Sequence, residues 1–311
     1  MSRFELSFRH VSPVVEDYVR EWFEHRRLPR KLDGERSVRL AHPDLPGREL
    51  KIKGAGLLGG PIGFGKELRS NLKMPVFDFD GRMMEDVAFG PDNALPGGMS
   101  FQQAVTEYRM SVFFQSVSID HVECFGYGKI VCDRGSSWFS LHDWDPRLHR
   151  VMDPYVSEQE YSEARAHAGQ LLLDLALEYN LVGHTEFASD GKQYYLMDLH
   201  PFHQMDALNM SKISWVMQVA FNLHLLALGT AHFITEKNAD KFPENAQTFP
   251  FRCLVPDATN EDHEHFRDTI VKPYMLRSPS RFSVTELLKA LDSNRLTRAL
   301  CNLCPPEFAR P

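Results

Sequence analysis

The chain has 311 residues, 43% apolar and 25% charged, which suits a folded globular protein of one large domain or two lobes. Its 35 lysines and arginines are outnumbered by 42 acids, for a net charge of −7, so no basic surplus exists to drive binding of nucleic acid through phosphate contacts. No apolar run approaches a membrane span, the first ten residues lack the apolar core of a secretory signal, and five scattered cysteines make no disulfide framework. No membrane partner is therefore expected, and the cytoplasm is the expected compartment.

The stretch VVEDYVREWFEH (residues 14–25) repeats apolar side chains at helical spacing and predicts a first helix. RSVRLAHP and ELKIKG read as short strands separated by the turn PDLPG. Residues 54–99, rich in glycine, proline and phenylalanine and poor in periodicity, read as a loop-rich insertion. From Ser100 a helix is expected, opened by a capping box with Gln103 and carrying Phe101, Ala104, Val105, Tyr108 and Val112 at helical spacing. HVECFGYGKIVC and SSWFSLHDW, split by DRG, predict a hairpin. A second capped helix begins at Ser157 with Glu160 and ends near Asn180. A further hairpin turns at Ser189, Asp190 and Gly191, and beyond Met210 the chain reads as mostly helical.

The expected fold class is α+β. A strand-rich N-terminal lobe (1–145, with the insertion near 57–99) precedes a mostly helical C-terminal lobe (146–311). That order is the bilobal order of a protein-kinase-like fold, in which ATP lies between the lobes. An ATP site needs a cation for the phosphates, an acid to orient that cation, and oxygen ligands for magnesium. Lys53 ends a strand and is followed by glycines, Gly54 and Gly56 among them, whose missing side chains let backbone approach phosphate. Glu107, in the capped helix, is placed to pair with Lys53. Asp198 follows the strand QYYLM and suits magnesium. Taken singly, each also reads as an ordinary edge charge, surface acid or turn cap.

LKIKGAG, then FDFDGR, then AVTEYRMSVFFQSVSIDHVECFGYGKI, and later DLHPFHQMDA, resemble segments of the selenoprotein O family of pseudokinase adenylyltransferases, in pieces over roughly residues 48–210. The resemblance implies that Lys53 holds the phosphates of ATP with Glu107 as its partner, and that Asp80 and Gly81 lie against the nucleotide. Asp198 would be a Mg2+ ligand. It further implies that AMP, rather than the terminal phosphate, passes to an unknown protein or small-molecule acceptor. Three departures stand out. The Lys53-to-Asp80 gap is longer, DLH replaces the family's D-Y-G, and the family's Asp-Asn pair before that strand is missing. Glu186 is the favoured second magnesium contact and Asp190 the alternative, with Asp190 fitting a hairpin turn better. His184 is the candidate base beside Glu186, since imidazole titrates near neutrality.

Two other readings stay open. In ATP-grasp carboxylate–amine ligases, an acid on one strand and an E-x-N on the next hold magnesium, and Glu186, Asp198 and His200 match that pattern. A nucleotide-binding pseudoenzyme fits the missing base equally well. The resemblance to the selenoprotein O family implies phosphate-facing arginines where Arg134, Arg147 and Arg150 stand, and all three also read as surface charge near the lobe boundary. His184, His200 and His203 hint at a metal site.

Overall fold

The computed structural model describes residues 4–25, 31–32, 36–56, 76–84, 97–132, 135–151, 157–183, 186–237, 246–275 and 281–308. The protein mixes helices and antiparallel strands, as the α+β expectation requires. In chain order the elements are β1 (Phe4–Arg9), α1 (Pro13–His25), β2 (Lys31–Leu32), β3 (Ser37–Ala41), β4 (Glu49–Lys53), β5 (Val76–Phe77) and β6 (Met83–Met84). Then come α2 (Phe101–Ser116), β7 (Cys124–Cys132), β8 (Gly135–Trp144), β9 (His149–Arg150), α3 (Glu158–Glu178), β10 (Leu181–Val182), β11 (Glu186–Ser189), β12 (Tyr194–Met197) and β13 (His203–Gln204). Four α-helices close the chain: α4 (Lys212–Lys237), α5 (Asn260–Phe266), α6 (Val284–Ser293) and α7 (Arg295–Leu303). Among the described residues no helix is long and apolar enough to cross a membrane.

Two compact units divide the chain. The first comprises Met1–Leu72, Phe89–His149 and Ala188–Pro201; the second comprises Lys73–Ala88, Arg150–Phe187 and Phe202–Pro311. The first unit is built on a six-stranded sheet in the order β1-β7-β8-β4-β3-β2. Its strands alternate, so Val38, Leu40, Leu50, Ile52, Ile130, Phe139 and Leu141 face one side. There they pack on Val15, Val19, Trp22 and Phe23 of α1. The opposite face of β3, β4 and β8 carries polar and charged side chains. Helix α2 begins with the expected reciprocal capping box between Ser100 and Gln103.

The buried face of α2 keeps Ala104 and Val105 of the apolar repeat read in the sequence, with Tyr108 packed beside them, but not its ends. Phe101 and Val112 are each 49% exposed, whereas Gln103, Glu107 and Ser111, at i, i+4 and i+8, are buried. The helix turns a polar stripe inward because that stripe has partners inside. One of them is β12. Leu196 exchanges backbone hydrogen bonds with residues 120 and 122 at 2.9 and 2.8 Å, and this ladder fixes the chain just before Asp198.

In the second unit, α3 starts at the expected Ser157 cap, whose hydroxyl accepts from the Glu160 amide. It packs closely on the 3-10 segment Ala246–Cys253, and α4 runs beside both. Residues 76–84, expected to be loop, contain the β5–β6 ladder around a tight turn. There Asp78 Oδ1 accepts from the Asp80 and Arg82 amides and Gly81 adopts φ +80°. The rest of the expected insertion, residues 57–75 and 85–96, lies outside the described residues.

Candidate functional site

Strand β4 presents Lys51 and Lys53 on the polar face of the first unit's sheet, because Leu50 and Ile52 occupy the core face. In register, Lys53 lies opposite Ser37 on β3 and Ser140 on β8, and Lys51 lies opposite Arg39 and His142. The Lys53 side chain is 6% exposed, and its ammonium bonds Glu107 Oε1 directly. The same nitrogen lies 2.6 Å from Asp198 Oδ1 and 3.3 Å from His200 Nδ1. Glu107, fully buried, also accepts from the Leu199 amide at 3.0 Å and contacts His200 Nδ1 at 3.1 Å.

Burial by itself would neutralise these groups; the cluster holds them charged. Burial pushes the Glu107 carboxyl up, yet the ammonium of Lys53 and the hydrogen bond from His200 outweigh it and hold that carboxyl below the ordinary carboxylate range. Burial likewise pushes Lys53 down, and Asp198 and Glu107 together leave it raised. Desolvation, aided by Lys53, lowers the pKa of His200. His142, buried on β8 with Nε2 2.8 Å from Ser140 Oγ, is driven down to about 3 by desolvation, which exceeds the pull of Glu107. Lys53 and His142 on the sheet thus meet Glu107 from α2 and Asp198 and His200 from the segment after β12.

Asp198 differs from its neighbours in two respects. Its side chain is 20% exposed, so it is the outward member of the cluster, and its φ is +56°, in the left-handed region that non-glycine residues visit at a cost. The ladder at Leu196 and the hydrogen bond from the Leu199 amide to Glu107 hold both flanks of that strained residue.

The structure pairs Lys53 with Glu107, as the sequence reading expects, and adds Asp198 to them within one unit, whereas the boundary read at 145 puts Asp198 in the other lobe; residues 188–201 belong to the first unit. The glycines after Lys53 act differently from the expected phosphate cradle. The amides of Gly54 and Ala55 both donate to the carbonyl of Arg36 at 3.0 Å, and that of Gly56 donates to Gly97 at 3.1 Å. Gly54 and Gly56 adopt φ +87° and +95°, and a Cβ on Gly54 would sit 2.8 Å from both Met99 Cγ and the Trp138 carbonyl. These glycines let the chain turn sharply under Met99; their amides are already used.

Asp80 and Gly81 belong to the second unit. Asp80 pairs with Arg82 at 3.0 Å, and Gly81 packs against Ile213 and Leu287. Glu186 and His203 also belong to the second unit, and His184 and Arg134 lie outside the described residues. Asp190 is a turn residue whose Oδ1 accepts from the amides of Lys192 and Gln193. Arg147 is bonded to Asp145 at 2.6 Å. His142 went unnoticed in the sequence. Its signal was the alternation S-x-H-x-W along β8, which puts Ser140, His142 and Trp144 on one face.

Neither protein-family models nor characterised proteins yield a match to this chain.

Among the described residues no three His, Cys, Asp or Glu side chains converge as a metal-holding group. Magnesium that arrives with ATP needs less, because phosphate oxygens and waters fill most of its shell and one or two carboxylates suffice. The partly exposed Asp198 fits that role, whereas the buried Glu107, engaged by Lys53, His200 and the Leu199 amide, does not.

Proposed function

We propose that this protein is an ATP- and Mg2+-dependent transferase of kinase-like fold, moving AMP or a phosphoryl group from ATP to a protein or small-molecule acceptor. The observation that carries this reading is the contact of Lys53 with both Glu107 and Asp198. Phosphoryl-transfer enzymes of the kinase class hold ATP with a strand lysine fixed by a helix glutamate, and hold magnesium with an aspartate. The order lysine strand, glutamate helix, hairpin, aspartate runs the same way here.

Glu107 would fix the lysine stem so that its ammonium meets phosphate oxygens, and Asp198 would exchange that ammonium for the nucleotide's magnesium. Magnesium, when bound, supplies charge neutralisation at the phosphates. Transfer of AMP, which the resemblance to the selenoprotein O family implies, breaks the bond between the α and β phosphates and releases pyrophosphate. Transfer of the terminal phosphate releases ADP.

One observation favours a second reading, the ATP-grasp ligase. Asp198 and His200, two residues apart, both reach Lys53. An acid-x-polar pair turned onto one cation is the arrangement such ligases use, and their product is an amide formed through an acyl phosphate.

A paired labelling assay with ATP labelled at the α or the γ phosphate, run with magnesium on the protein alone and in lysate, tests the proposal. Retention of α label alone establishes adenylyl transfer, and retention of γ label alone establishes phosphoryl transfer. ADP release only when a carboxylate and an amine are supplied replaces the transferase with the ligase. Bound ATP with neither label nor turnover leaves a nucleotide-binding pseudoenzyme.

A further inference from the structure

The six-stranded sheet of the first unit begins with β1, and among the described residues no strand pairs with its outer edge. An open edge presents unused backbone N–H and C=O groups, and it is ordinarily blunted by proline, a bulge, lysines or an inward-pointing charge. FELSFR has none of these. It keeps unbroken register with β7 from Phe4↔Cys132 to Arg9↔Tyr127 and ends only at His10, where φ is +60°.

Alternation divides this strand into two rows. Leu6 is buried on the core face, while Phe4 and Phe8 beside it are only half-buried, against Phe23 and Phe139. Glu5, Ser7 and Arg9 are exposed on the other face. An acid and a base stand at equal distances from a small central serine, so the strand is complementary to its own reverse. Two copies laid antiparallel about a two-fold axis at Ser7 set Glu5 of each against Arg9 of the other, and Leu6 against Phe8. Parallel pairing would set Glu5 on Glu5 and Arg9 on Arg9. A shift of one residue would set Phe4, Leu6 and Phe8 against Arg9, Ser7 and Glu5, mixing the two faces.

We propose that the β1 edge is a homodimer interface, on which a second copy of this chain adds its own β1, antiparallel and centred on Ser7. The two sheets then continue into one another, the exposed charges pair, and the half-buried phenylalanines gain cover. Six residues a side make a contact smaller than the standard interface of roughly 1,600 Å², so the dimer is expected to be weak, in the micromolar range or above. The surface is independent of the Lys53 cluster and does not require that cluster to bind ATP.

Sedimentation equilibrium of the full chain at low salt, across the micromolar range, tests it. A monomer–dimer equilibrium is the expected result. Glu5→Arg and Arg9→Glu each replace two attractive pairs with two repulsive ones and should weaken the dimer by about tenfold. The double variant Glu5→Arg/Arg9→Glu should restore the affinity, and an equimolar mixture of the two single variants should dimerise with each other. Both positions are exposed, so the substitutions leave the core untouched. Residues opposed across an antiparallel pair have Cα atoms roughly 4.5–5.5 Å apart, within the span of a disulfide. Ser7→Cys should therefore cross-link two copies through the new thiols on mild oxidation, as peptide mapping would show, whereas Glu5→Cys should not. A monomer at every concentration would overturn the proposal. So would a dimer that neither charge reversal weakens, or one that Ser7→Cys fails to cross-link.

Discussion

Lys53 and Glu107 stand 54 residues apart in the chain and meet with side chains 6% and 0% exposed. A buried pair of this kind is costly to break from one side, because the survivor is left charged and dry. Glu107→Gln or Lys53→Met should each lower the unfolding free energy by about 3–5 kcal/mol. The double variant Lys53→Met/Glu107→Leu should cost clearly less than the sum. Urea unfolding of the two singles and the double closes the cycle. Additive losses would show that the two side chains do not stabilise one another.

Asp198 combines a left-handed backbone with the outward carboxylate. Asparagine tolerates that backbone almost as well as aspartate, so Asp198→Asn should lower stability by no more than about 2 kcal/mol. It should nonetheless bring label retained from ATP down to background. Asp198→Val adds a β-branched side chain at φ +56° and should cost a further ~1–3 kcal/mol. Full transfer activity in Asp198→Asn would remove this residue from the magnesium site.

Acid should destabilise the second unit through His224 and His263, which are both 3% exposed with Nδ1 of one 3.1 Å from Nε2 of the other. Phe251 and Phe266 pack around the pair, and Arg267 is the nearby charge. Desolvation pushes His224 down to about 3 and His263 down to about 4. Below the ordinary histidine value of 6.5, the unfolded chain binds protons that the folded chain refuses. Stability should therefore be complete above pH 6.5 and fall between pH 6.5 and about 4, by roughly 1.4 kcal/mol per pH unit for each imidazole. His263→Gln should flatten that slope by one imidazole's share. Chemical denaturation at a series of pH values checks it, and an unchanged slope would exonerate the pair.

Gly169 offers a prediction of opposite sign to helix propensity. It lies inside α3, where alanine normally stabilises by about 1 kcal/mol. A Cβ there would collide with the carbonyl oxygen of Pro250, a backbone atom that cannot rotate away. Gly169→Ala should instead lower stability by at least ~1–3 kcal/mol, and thermal unfolding measures it. A raised melting temperature would mean that the contact relaxes freely.

The elements legible in the sequence are those whose signals are local. The periodicity of α1, the Ser100–Gln103 capping box, the Ser157 cap and the β7–β8 hairpin each depend on residues within one turn or one strand of each other. Strand β1 was missed although Phe4, Leu6 and Phe8 alternate onto the core side; the stretch is short, and its partner β7 lies far along the chain. The inward face of α2 was misread in part, at Phe101 and Val112, for a related reason. Hydrophobicity favours Phe101 and Val112, but burial follows the partners that meet Gln103, Glu107 and Ser111.

Residue chemistry and order along the chain were enough to single out Lys53, Glu107 and Asp198. Only the tertiary structure decided that His200 joins them, that the amides of Gly54 and Gly56 are already used, and that Asp80 and Glu186 belong to the other unit. Alternation along a strand dictates which side a residue faces, whereas what it meets there depends on sheet register and on segments that return from up to 147 residues away.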